Sequence, residues 1–517
     1  MQSALVRRDA VMLHDPMRTH TRATIVGVVL AALGVLVFVI WGLLSPKPSV
    51  PDAGNIVIGE QSGTVYVVAG NPKKLVPTFN LASARLLIIA QAKQSSQQAG
   101  TKGAAAPAAP AEVKNPTVVS DDQLRDIPRG RLTGIPDGPQ LIPSESQRVA
   151  SDWAVCDEVK LEPSLPQPDS INKTETTVYA GVSKLGDREL AQDEALLVQA
   201  DNGKKYLVYR LKASPNQKNA NAVRAEIETG SDSVSKALKL PEKARNITQG
   251  LLNAIPEVAK LKAPQVDGDG ETPNVSIDGM KVGEVFSTTP SEGGKNFWLI
   301  TKNGIQQVSS VVADIIRVEK SGGAGTIMNL GLDRISSAKI LSQGEPGWVA
   351  VEDYPQNPVT VLDATKGTPV SCLGWNLVGD PGAQDLHTAV FVGGKLPVDP
   401  ASIVKIGVPG PDGFPINGFY MKPGYAAVVQ SATGKETFGK GQIQLISDRG
   451  VRYGVPDAAT ADGIGLNKRV PAPESVIRLL PTGASLNTQD VMRSFDTVPI
   501  DPKAGSFTSS SQAPAGN

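Results

Sequence analysis

TIVGVVLAALGVLVFVIWGLL, residues 24–44, sets the architecture of the whole chain. None of these residues is charged, and at about 1.5 Å per residue a helix of this length crosses a hydrocarbon core of roughly 30 Å. Four arginines precede the stretch: Arg7, Arg8, Arg18 and Arg22. Only Lys47 stands close behind it. This asymmetry predicts a cytoplasmic N-terminus, with everything after Leu44 on the far side of the membrane.

A cleaved signal peptide is the alternative interpretation of the same stretch. Its apolar core would span roughly 7–15 residues and end at a cleavage site of small residues. The run 24–44 is longer, and LLSPKPSVPDAG (43–54) offers no such site. The sequence therefore favours an uncleaved anchor, with a cytoplasmic segment at 1–23, a transmembrane helix at 24–44 and a Pro-rich spacer at 45–54.

Composition describes a large, turn-rich exported region. The chain has 517 residues, with 51 glycines, 40 prolines and 4% aromatic residues. Its 51 basic and 51 acidic residues cancel, which gives no indication of nucleic acid or of a generally anionic partner. An apolar fraction of 40% excludes global disorder.

A strand–turn–strand–helix pattern recurs along the exported region. In FWLITKNGIQQVSSVVADIIR (297–317), an Asn303-Gly304 turn separates two apolar strands, and Ser309 caps an amphipathic helix. Asn80 and Asp457 are predicted caps of the matching helices. The fold class is therefore α+β, with about four small ββα repeats, predicted at 55–90, 187–260, 278–335 and 420–500. Such small units must pack on one another or on a core domain.

The remaining segments separate these repeats. Residues 91–114 are low in complexity and predict a flexible insertion, and 501–517 predict a disordered tail. Residues 115–186 and 347–405 each hold one cysteine and one nearby tryptophan, which indicates a central domain in two parts. Cys156 and Cys372 are the only cysteines, and an oxidising compartment favours a disulfide between them. Two free buried thiols are the alternative.

The exported sequence shows no catalytic constellation. His387 is the only histidine beyond the anchor, and no G-x-S-x-G accompanies it, so a surface or core position is favoured over catalysis. SATGKET (431–437) holds Gly434-Lys435 but lacks the first glycine and the Ser or Thr of a phosphate loop. We therefore predict no catalytic residue and no cofactor.

Two further loops resemble ligand sites weakly. SGGAG (321–325) could bend around an anion but follows a repeat helix directly, which favours a linker. DGDGE (267–271) with Asp278 resembles a calcium loop, yet it lacks the required glycine and ends in Asp. No metal site is predicted.

Several motifs, taken in order, resemble the EccB family, a membrane component of actinobacterial ESX (type VII) secretion systems. The motifs are ALVRRDAVMLHDP (4–16), VYVVAG (65–70), NLASARL (80–86), WAVCD (153–157), SCLGW (371–375), GVRYGVPDAATADGIGL (450–466), VIRLLPTGASL (476–486) and FDTVP (495–499). Family members carry a longer arginine-rich segment before ALVRRD, and 91–114 is an insertion relative to the family.

The resemblance implies a structural subunit of an inner-membrane translocon, with elongated periplasmic repeats around a central domain that carries a Cys156–Cys372 disulfide. The implied partners are EccC (an FtsK/SpoIIIE-like ATPase), EccD, EccE, further copies of the chain and the lipid bilayer. Two alternatives stay open. One is a nucleotide hydrolase, because family members are often described as ATPases, and the other is a tether that binds the cell envelope.

Overall fold

The computed structural model of the chain describes residues 16–44, 49–99, 115–169, 173–211, 222–228, 232–291, 293–379 and 384–495. The predictions for the tail 501–517 and for most of the cytoplasmic segment lie outside these residues. The first helix begins at Pro16 and ends at Leu44, so it starts eight residues before the predicted span 24–44. Its apolar part, His20–Gly42, is exposed throughout and is long enough to cross a membrane.

Helices and strands are numbered along the chain. The helices are α1 (Pro16–Leu44), α2 (Leu81–Ala99), α3 (Asp121–Leu124), α4 (Asp232–Ala237), α5 (Gln249–Ala254), α6 (Ser310–Ser321), α7 (Ala458–Gly463) and α8 (Glu474–Ile477). The strands are β1 (Ile56–Gly59), β2 (Val65–Ala69), β3 (Lys74–Thr78), β4 (Thr117–Val119), β5 (Trp153–Val159), β6 (Thr174–Ala180), β7 (Arg188–Glu189), β8 (Glu194–Gln199), β9 (Lys205–Arg210), β10 (Ala222–Glu226), β11 (Arg245–Asn246), β12 (Val285–Thr288), β13 (Asn296–Thr301), β14 (Gly304–Val308), β15 (Met328–Leu330), β16 (Thr360–Val361), β17 (Val370–Val378), β18 (Asp385–Gly393), β19 (Val404–Lys405), β20 (Gly418–Tyr420), β21 (Ala426–Ala432), β22 (Ile443–Ser447), β23 (Arg452–Val455) and β24 (Val470–Pro473). Short 3-10 turns cover Glu145–Gln147, Leu332–Ile335, Pro400–Ser402, Lys435–Thr437 and Asp490–Met492.

Four sheets share one strand order. In each, three consecutive antiparallel strands lie side by side, and a fourth strand returns beyond the helix to pair in parallel with the first. We name these sheets and their helices unit 1 (β1–β4, α2), unit 2 (β8–β11, α4), unit 3 (β12–β15, α6) and unit 4 (β21–β24, α7). In unit 2, β16 pairs with β8 as well. The predicted α+β class is confirmed.

A further segment covers the outer edge of the third strand in every unit. It lies parallel to that strand and forms the bridges Leu75↔Arg129, Arg224↔Glu257, Ile305↔Ile340 and Arg452↔Thr482. The predicted ββα pattern is therefore the centre of a longer unit. The fourth strand pairs with the first strand across the helix, and the covering segment pairs with the third strand in the same way, so the local sequence indicates neither pairing.

Local chemistry at the helix starts follows the sequence. The side chains of Asn80, Ser309 and Asp457 accept hydrogen bonds from the backbone N–H of Ser83 (2.8 Å), Val312 (3.2 Å) and Thr460 (2.7 Å), respectively. Each bond satisfies an N–H that the first helical turn leaves without a partner. All three predicted caps are present.

Two local predictions need correction. The turn of unit 3 consists of Lys302 and Asn303, and Gly304 is already the first residue of β14. Helix α2 continues to Ala99, so the first nine residues of the stretch predicted as flexible, 91–114, are helical. Glutamine, alanine and lysine in this stretch are good helix formers, which outweighs its low complexity. Residues 100–114 lie outside the described residues.

Both faces of the unit 4 sheet are buried. Along β21, Ala426 and Val428 pack towards unit 1, whereas Ala427 and Val429 pack towards the central sheet. Leu445 and Ile446 divide between the same two cores on β22. A strand that is covered on both sides reads as a continuous apolar run, which explains the sequence AAVV.

The buried cores form a linear series. Unit 1 shares a core with unit 4, unit 4 with the central sheet, the central sheet with unit 2, and unit 2 with unit 3. The helices lie in the shared layers, where α2 contacts α7 and α4 contacts α6. At the ends, a smaller core closes the outer face of unit 1, around Tyr66 and Leu124, and another closes unit 3, around Phe286 and Trp298.

The central sheet has seven strands in the order β19-β20-β6-β5-β17-β18-β7. Its boundaries differ from the two predicted parts, 115–186 and 347–405. Residues 117–119 pair in parallel with β1 of unit 1, and residues 418–420 pair in parallel with β6 of the central sheet. Parallel partners are far apart in sequence because they need a crossover connection, so sequence pattern alone does not assign them.

Candidate functional site

The disulfide lies at the middle of the central sheet. Cys156 on β5 and Cys372 on β17 are paired in register, and a disulfide joins them. Both cysteines are fully buried. They lie on the face that packs with Tyr179, Leu185 and Phe391, opposite the face that contacts units 2 and 4. The bond therefore links two neighbouring strands of the central sheet, and the opposite face of that sheet packs against units 2 and 4.

The residue after Cys156 is a buried acid that joins the central sheet to unit 2. Asp157 is only 1% exposed, and its carboxylate accepts hydrogen bonds from the backbone N–H of Thr248 (2.7 Å), the Thr248 hydroxyl (2.8 Å) and the Thr176 hydroxyl (2.8 Å). Burial raises the pKa of Asp157 to about 6, and these hydrogen bonds limit the rise. Thr248 also caps α5, so one carboxylate holds that helix against β5 and β6.

A buried arginine completes this junction. The guanidinium of Arg245 on β11 donates to the carbonyl oxygens of Thr368 and Pro369, each at 2.9 Å, just before β17 begins. Burial lowers the pKa of Arg245 to about 10, and the charge of Asp157 acts against that decrease. Unit 2 is thus tied to both of the strands that carry the cysteines. We name Asp157, Thr176, Arg245 and Thr248 the polar junction.

A second junction joins unit 1 and the segment that follows it to unit 4. Arg85 on α2 donates to the carbonyl oxygen of Ile464 (2.8 Å), and Arg148 donates to that of Gly465 (2.8 Å). A Cβ atom at Gly463 would lie 2.6 Å from the Ile89 side chain, so α2 and α7 approach closely. Units 1 and 4 are therefore held by packing and by hydrogen bonds.

The structure separates the residues that the sequence offered for chemistry. His387 lies on β18 opposite Asn376. Gly434 and Lys435 lie at the 3-10 turn after β21, where Lys435 is exposed and its ammonium lies 3.7 Å from the Asp385 carboxylate. This turn has neither a preceding glycine-rich loop nor a following long helix, which a phosphate loop needs.

Three acids of the calcium-like loop form ion pairs with bases. Asp269 pairs with Lys320 at 2.5 Å, Glu271 with Lys302 at 2.8 Å, and Asp278 with Arg334 at 3.0 Å. Across the described ranges, no group of three His, Cys, Asp or Glu side chains is placed to hold a metal ion.

SGGAG (321–325) ends α6. Gly322 adopts a left-handed conformation with φ 61°, as helix ends commonly require. The carbonyl oxygens of Gly323 and Gly325 accept hydrogen bonds from the Arg317 guanidinium at 2.8 and 2.9 Å. These oxygens accept from a positively charged side chain and are not arranged around an anion. The segment is therefore a helix terminus and a linker.

Two open clefts flank unit 3. One, of about 810 Å³, lies between units 2 and 3 and is lined by Trp348, Glu352 and Lys295 among others. The other, of about 1280 Å³, carries Lys236 and Lys262 opposite Glu228 and Glu319. Both linings contain acids and bases, so no one class of charged ligand is favoured there.

The sequence did not indicate the polar junction. Asp157 is visible as the last residue of WAVCD, but nothing in that motif distinguishes a buried acid from one at a strand end. Thr248 and Arg245 stand about ninety residues further on, in a stretch without a recognisable pattern. Arg245 and Thr248 reach the carboxylate only because β11 pairs with β8 and the next helix, α5, packs against β5.

The fold and its junctions define a class of protein. It is a single-pass membrane protein in which one apolar helix precedes a large α+β region, itself built from four similar sheets around a disulfide-bonded central sheet. The family model described as "Type VII secretion system ESX-1, transport TM domain B" matches residues 1–500. The chain belongs to this family, the EccB family of type VII (ESX) secretion systems.

Individual relatives extend over most of the chain. The ESX-1 secretion system ATPase EccB1 of Mycolicibacterium smegmatis is 27% identical over 508 residues, which cover 97% of this chain and 94% of that protein. The ESX-3 secretion system ATPase EccB3 of Mycobacterium tuberculosis is 28% identical over 518 residues, which cover 96% of this chain and 88% of that protein.

Solved structures are similar over the same extent. The EccB3 dimer from the ESX-3 core complex matches with a TM-score of 0.64 and 27% identity, covering 84% of this chain and 99% of that chain. A chain of the intact ESX-5 inner membrane complex matches with a TM-score of 0.66 and 23% identity, covering 96% and 93%, and supports the fold.

Proposed function

We propose that the protein is a structural core subunit of an ESX (type VII) secretion translocon in the inner membrane. Its periplasmic region mediates oligomerisation and supports export of substrate proteins across the mycobacterial envelope. Membership of the EccB family over residues 1–500 supports this role. So does the continuous series of shared cores from unit 1 to unit 3, which is the observation that carries the proposal.

The uninterrupted packing from unit 1 to unit 3 is suited to a subunit that holds other subunits in position. Each sheet buries both faces, the disulfide links two strands of the central sheet, and the polar junction fixes that sheet to unit 2. A region with no break between its cores holds distant surfaces at fixed separations, because close-packed interiors resist deformation. The anchor at one end then relates those surfaces to the membrane.

The proposed orientation places the N-terminus in the cytoplasm. Its support is the excess of arginine before the anchor, since basic residues are retained on the cytoplasmic side. The polar junction and the disulfide then lie in the periplasm, where disulfides form and persist. Reaction of an added cysteine at the exposed Asn202 with a membrane-impermeant thiol reagent in intact cells tests this orientation.

The proposed partners are other ESX subunits, namely EccC, EccD and EccE, together with further copies of this chain. Among the structural neighbours, one is a dimer of EccB3 and another an inner membrane complex of ESX-5, which supports self-association and membership of a larger assembly. Nucleic acid is not among the proposed partners, because the chain carries equal numbers of acids and bases.

The deciding experiment is extraction of the full chain from its native membrane in mild detergent. Mass and subunit content of the complex are then measured by native mass spectrometry. We expect a species far larger than the 54.1 kDa chain, with an FtsK-like ATPase and multi-span subunits. A lone monomer or homodimer would remove the translocon role and favour an envelope-binding tether, which sedimentation of the protein with isolated cell wall would then test.

Nucleotide hydrolysis is the second candidate function, because the curated EccB1 and EccB3 relatives carry the word ATPase in their names. Its test is phosphate release by the purified full chain, with Lys435→Ala as the variant. Lys435 belongs to the closest approach to a phosphate loop in this sequence. Turnover above a mock preparation that falls in the variant would establish the hydrolase.

We also propose that units 1 to 4 are divergent copies of one repeat. Their common strand order and the parallel covering segment in each support this division. The resulting boundaries are 56–133, 194–261, 285–341 and 426–486, with residues 153–180, 370–393 and 404–420 forming most of the central sheet. Limited proteolysis of the full chain is expected to cut between these ranges before it cuts within them.

A further inference from the structure

The covering segment pairs with the third strand over a shorter distance in unit 3 than in the other units. In units 1, 2 and 4 it makes one further backbone hydrogen bond, to the carbonyl oxygen two residues beyond the bridge on the third strand. These bonds run from Thr133 N–H to Pro77 (3.0 Å), from Leu261 N–H to Glu226 (2.8 Å) and from Leu486 N–H to Gly454 (2.8 Å). The equivalent carbonyl in unit 3 belongs to Gln307, and among the described residues the covering segment donates nothing to it.

A turn in the covering segment of unit 3 accounts for this difference. Up to Leu341 the segment follows the common pattern, because the Leu341 N–H donates to the Ile305 carbonyl oxygen at 2.8 Å. The chain then turns, with the Glu345 N–H donating to the Ser342 carbonyl oxygen (3.1 Å) and the Ser342 N–H donating to the Glu345 carboxylate (2.8 Å). Gly344 supplies the left-handed conformation of this turn, with φ 89°. The segment therefore leaves β14 before it reaches Gln307.

The Gln307 carbonyl lies on the uncovered side of β14, beside a cleft. Ile305 donates and accepts across this side of the strand. Alternate residues of an antiparallel strand direct their backbone groups to the same side, so those of Gln307 point the same way. Gln307 is exposed and lines the cleft of about 810 Å³ between units 2 and 3. The edge of β14 is thus open to a ligand at this residue.

Apolar side chains line the same cleft. Ile340 is 56% exposed there and Trp348 is half-buried. The indole N–H of Trp348 donates to the Glu352 carboxylate at 2.7 Å, which leaves the ring for apolar contact. In units 2 and 4 the residue that makes the further hydrogen bond is a fully buried leucine, Leu261 or Leu486. An apolar residue in the cleft would therefore find surroundings of the same kind.

The cleft presents little unpaired charge. Its charged lining residues are Arg210, Lys295 and Glu352. The Arg210 guanidinium lies 3.1 Å from the Glu189 carboxylate, and Glu352 accepts from Trp348, so only the exposed Lys295 is left. An uncharged ligand enters such a cleft without burying a charge that has no partner.

We propose that the cleft between units 2 and 3 binds an extended, uncharged polypeptide segment of a partner protein. An apolar residue of this segment donates its backbone N–H to the Gln307 carbonyl and places its side chain against Ile340 and Trp348. Added strands gain affinity from backbone hydrogen bonds and specificity from side-chain pockets. The other three units hold polypeptide at the equivalent position, which favours a peptide over a glycan. The inference does not depend on the proposed role in secretion.

The test is reversible disulfide tethering of a peptide to the full chain in detergent. Both native cysteines form the buried disulfide, so Asn357→Cys, at an exposed position in the cleft lining, supplies a single free thiol. The probe is the peptide ASLNTQ followed by a cysteine, because residues 484–489 are uncharged and supply the bonding leucine of unit 4. A matched peptide carries an N-methyl group on this leucine, which removes the N–H donor and keeps the side chain. Intact mass gives the tethered fraction at equilibrium in a mild thiol buffer.

We expect the tethering constant at position 357 to be about fivefold higher for ASLNTQ than for its N-methyl form, the ratio that one ordinary hydrogen bond gives. At Asn202→Cys, in the exposed turn of unit 2 outside the cleft, the two peptides should tether equally. Adding Ile340→Ser to Asn357→Cys should lower the constant for ASLNTQ severalfold, because an apolar contact is lost. Val408→Ser, at an exposed valine outside the cleft lining, should leave it unchanged. Circular dichroism verifies that each variant is folded.

Equal tethering of the two peptides at position 357 would overturn the proposal, because the N–H donor would then play no part. Equal constants for ASLNTQ at positions 357 and 202 would overturn it too, since the cleft would add nothing to the thiol exchange. A tethered fraction that falls as the protein concentration rises would mean that a second copy of this chain occupies the cleft, which contradicts a separate partner.

Discussion

Cys156 lies directly opposite Cys372 in the antiparallel pairing of β5 with β17, although 216 positions separate them in the sequence. Everything between them, including units 2 and 3, forms one closed loop. The disulfide therefore marks the point at which the two separate parts of the central sheet meet. Its position predicts how the protein responds when the bond is removed.

Replacing both cysteines by alanine is expected to lower the free energy of unfolding of the region after the anchor by about 2–5 kcal/mol, because an unfolded chain without the bond gains the entropy of a long open loop. The measurement is the urea midpoint of the full chain in detergent, followed by tryptophan fluorescence. Adding a reductant to the folded wild type should change little, because both sulfur atoms are buried. An unchanged midpoint in the Cys156→Ala/Cys372→Ala protein contradicts this account.

Asp157 predicts an unusual dependence of stability on pH. Burial raises its pKa from 3.8 to about 6 in the folded protein. The folded state therefore holds this proton more tightly than the unfolded state, and the resulting stabilisation is fully present below about pH 4 and is lost as the pH rises through 6. The loss amounts to roughly 3 kcal/mol, since one pKa unit corresponds to about 1.4 kcal/mol.

The measurement for Asp157 compares urea midpoints between pH 4 and 7. Asp157→Asn cannot titrate, so its curve should lack the decline that this carboxyl contributes to the wild type. Asp201→Asn, at an exposed turn of unit 2, is the matched control and should follow the wild type. Parallel curves for wild type and Asp157→Asn would show that burial does not perturb this group.

Thr248→Val tests the polar junction from its other side. The hydroxyl donates to Asp157 and accepts from the backbone N–H of Leu251, so its loss removes a cap and one hydrogen bond to a buried carboxylate. We expect destabilisation of about 1–3 kcal/mol. The transition in stability assigned to Asp157 should also move to higher pH, because a hydrogen bond that favours its charged form is gone. A purely structural role of Thr248 predicts no such movement.

Gly304→Ala tests the covering segment of unit 3. A Cβ atom at this position would lie 2.2 Å from the carbonyl oxygen of Lys339, which belongs to that segment. The clash with backbone should cost about 1–3 kcal/mol. Gly454, in the third strand of unit 4, has open space around the same atom, so Gly454→Ala is the control and should be nearly neutral. Equal urea midpoints for the two variants would contradict the assigned close approach.

Local patterns in the sequence predicted the centre of units 1, 3 and 4 well. The two strands within 297–317 and the caps at Asn80, Ser309 and Asp457 all correspond to observed elements, because they depend on residues a few positions apart. The fourth strands and the covering segments depend on partners across a helix. Residues 117–119 were therefore placed in the central domain although they complete unit 1.

The candidate site, too, could be predicted only in part from the sequence. The pairing of Cys156 with Cys372 was accessible because only two cysteines exist and because their motifs resemble a family. Asp157, Arg245 and Thr248 were not accessible, since their proximity depends on how unit 2 docks on the central sheet. The functional class could be predicted from motifs that are spread along the whole chain. The structure adds the contacts by which the units and the central sheet are joined.

The contact between units 1 and 4 has a consequence for biogenesis. Arg85 finds its acceptor, the carbonyl oxygen of Ile464, only after nearly the whole polypeptide has been made. The domain nearest the anchor is thus among the last to be completed, whereas the stretch between the two cysteines can fold earlier. A ribosome that stops short of residue 464 releases a chain that is inserted in the bilayer but lacks the partner surface of its first domain. In such a product, the side of α2 that packs against residues 461–466 in the complete fold is left uncovered.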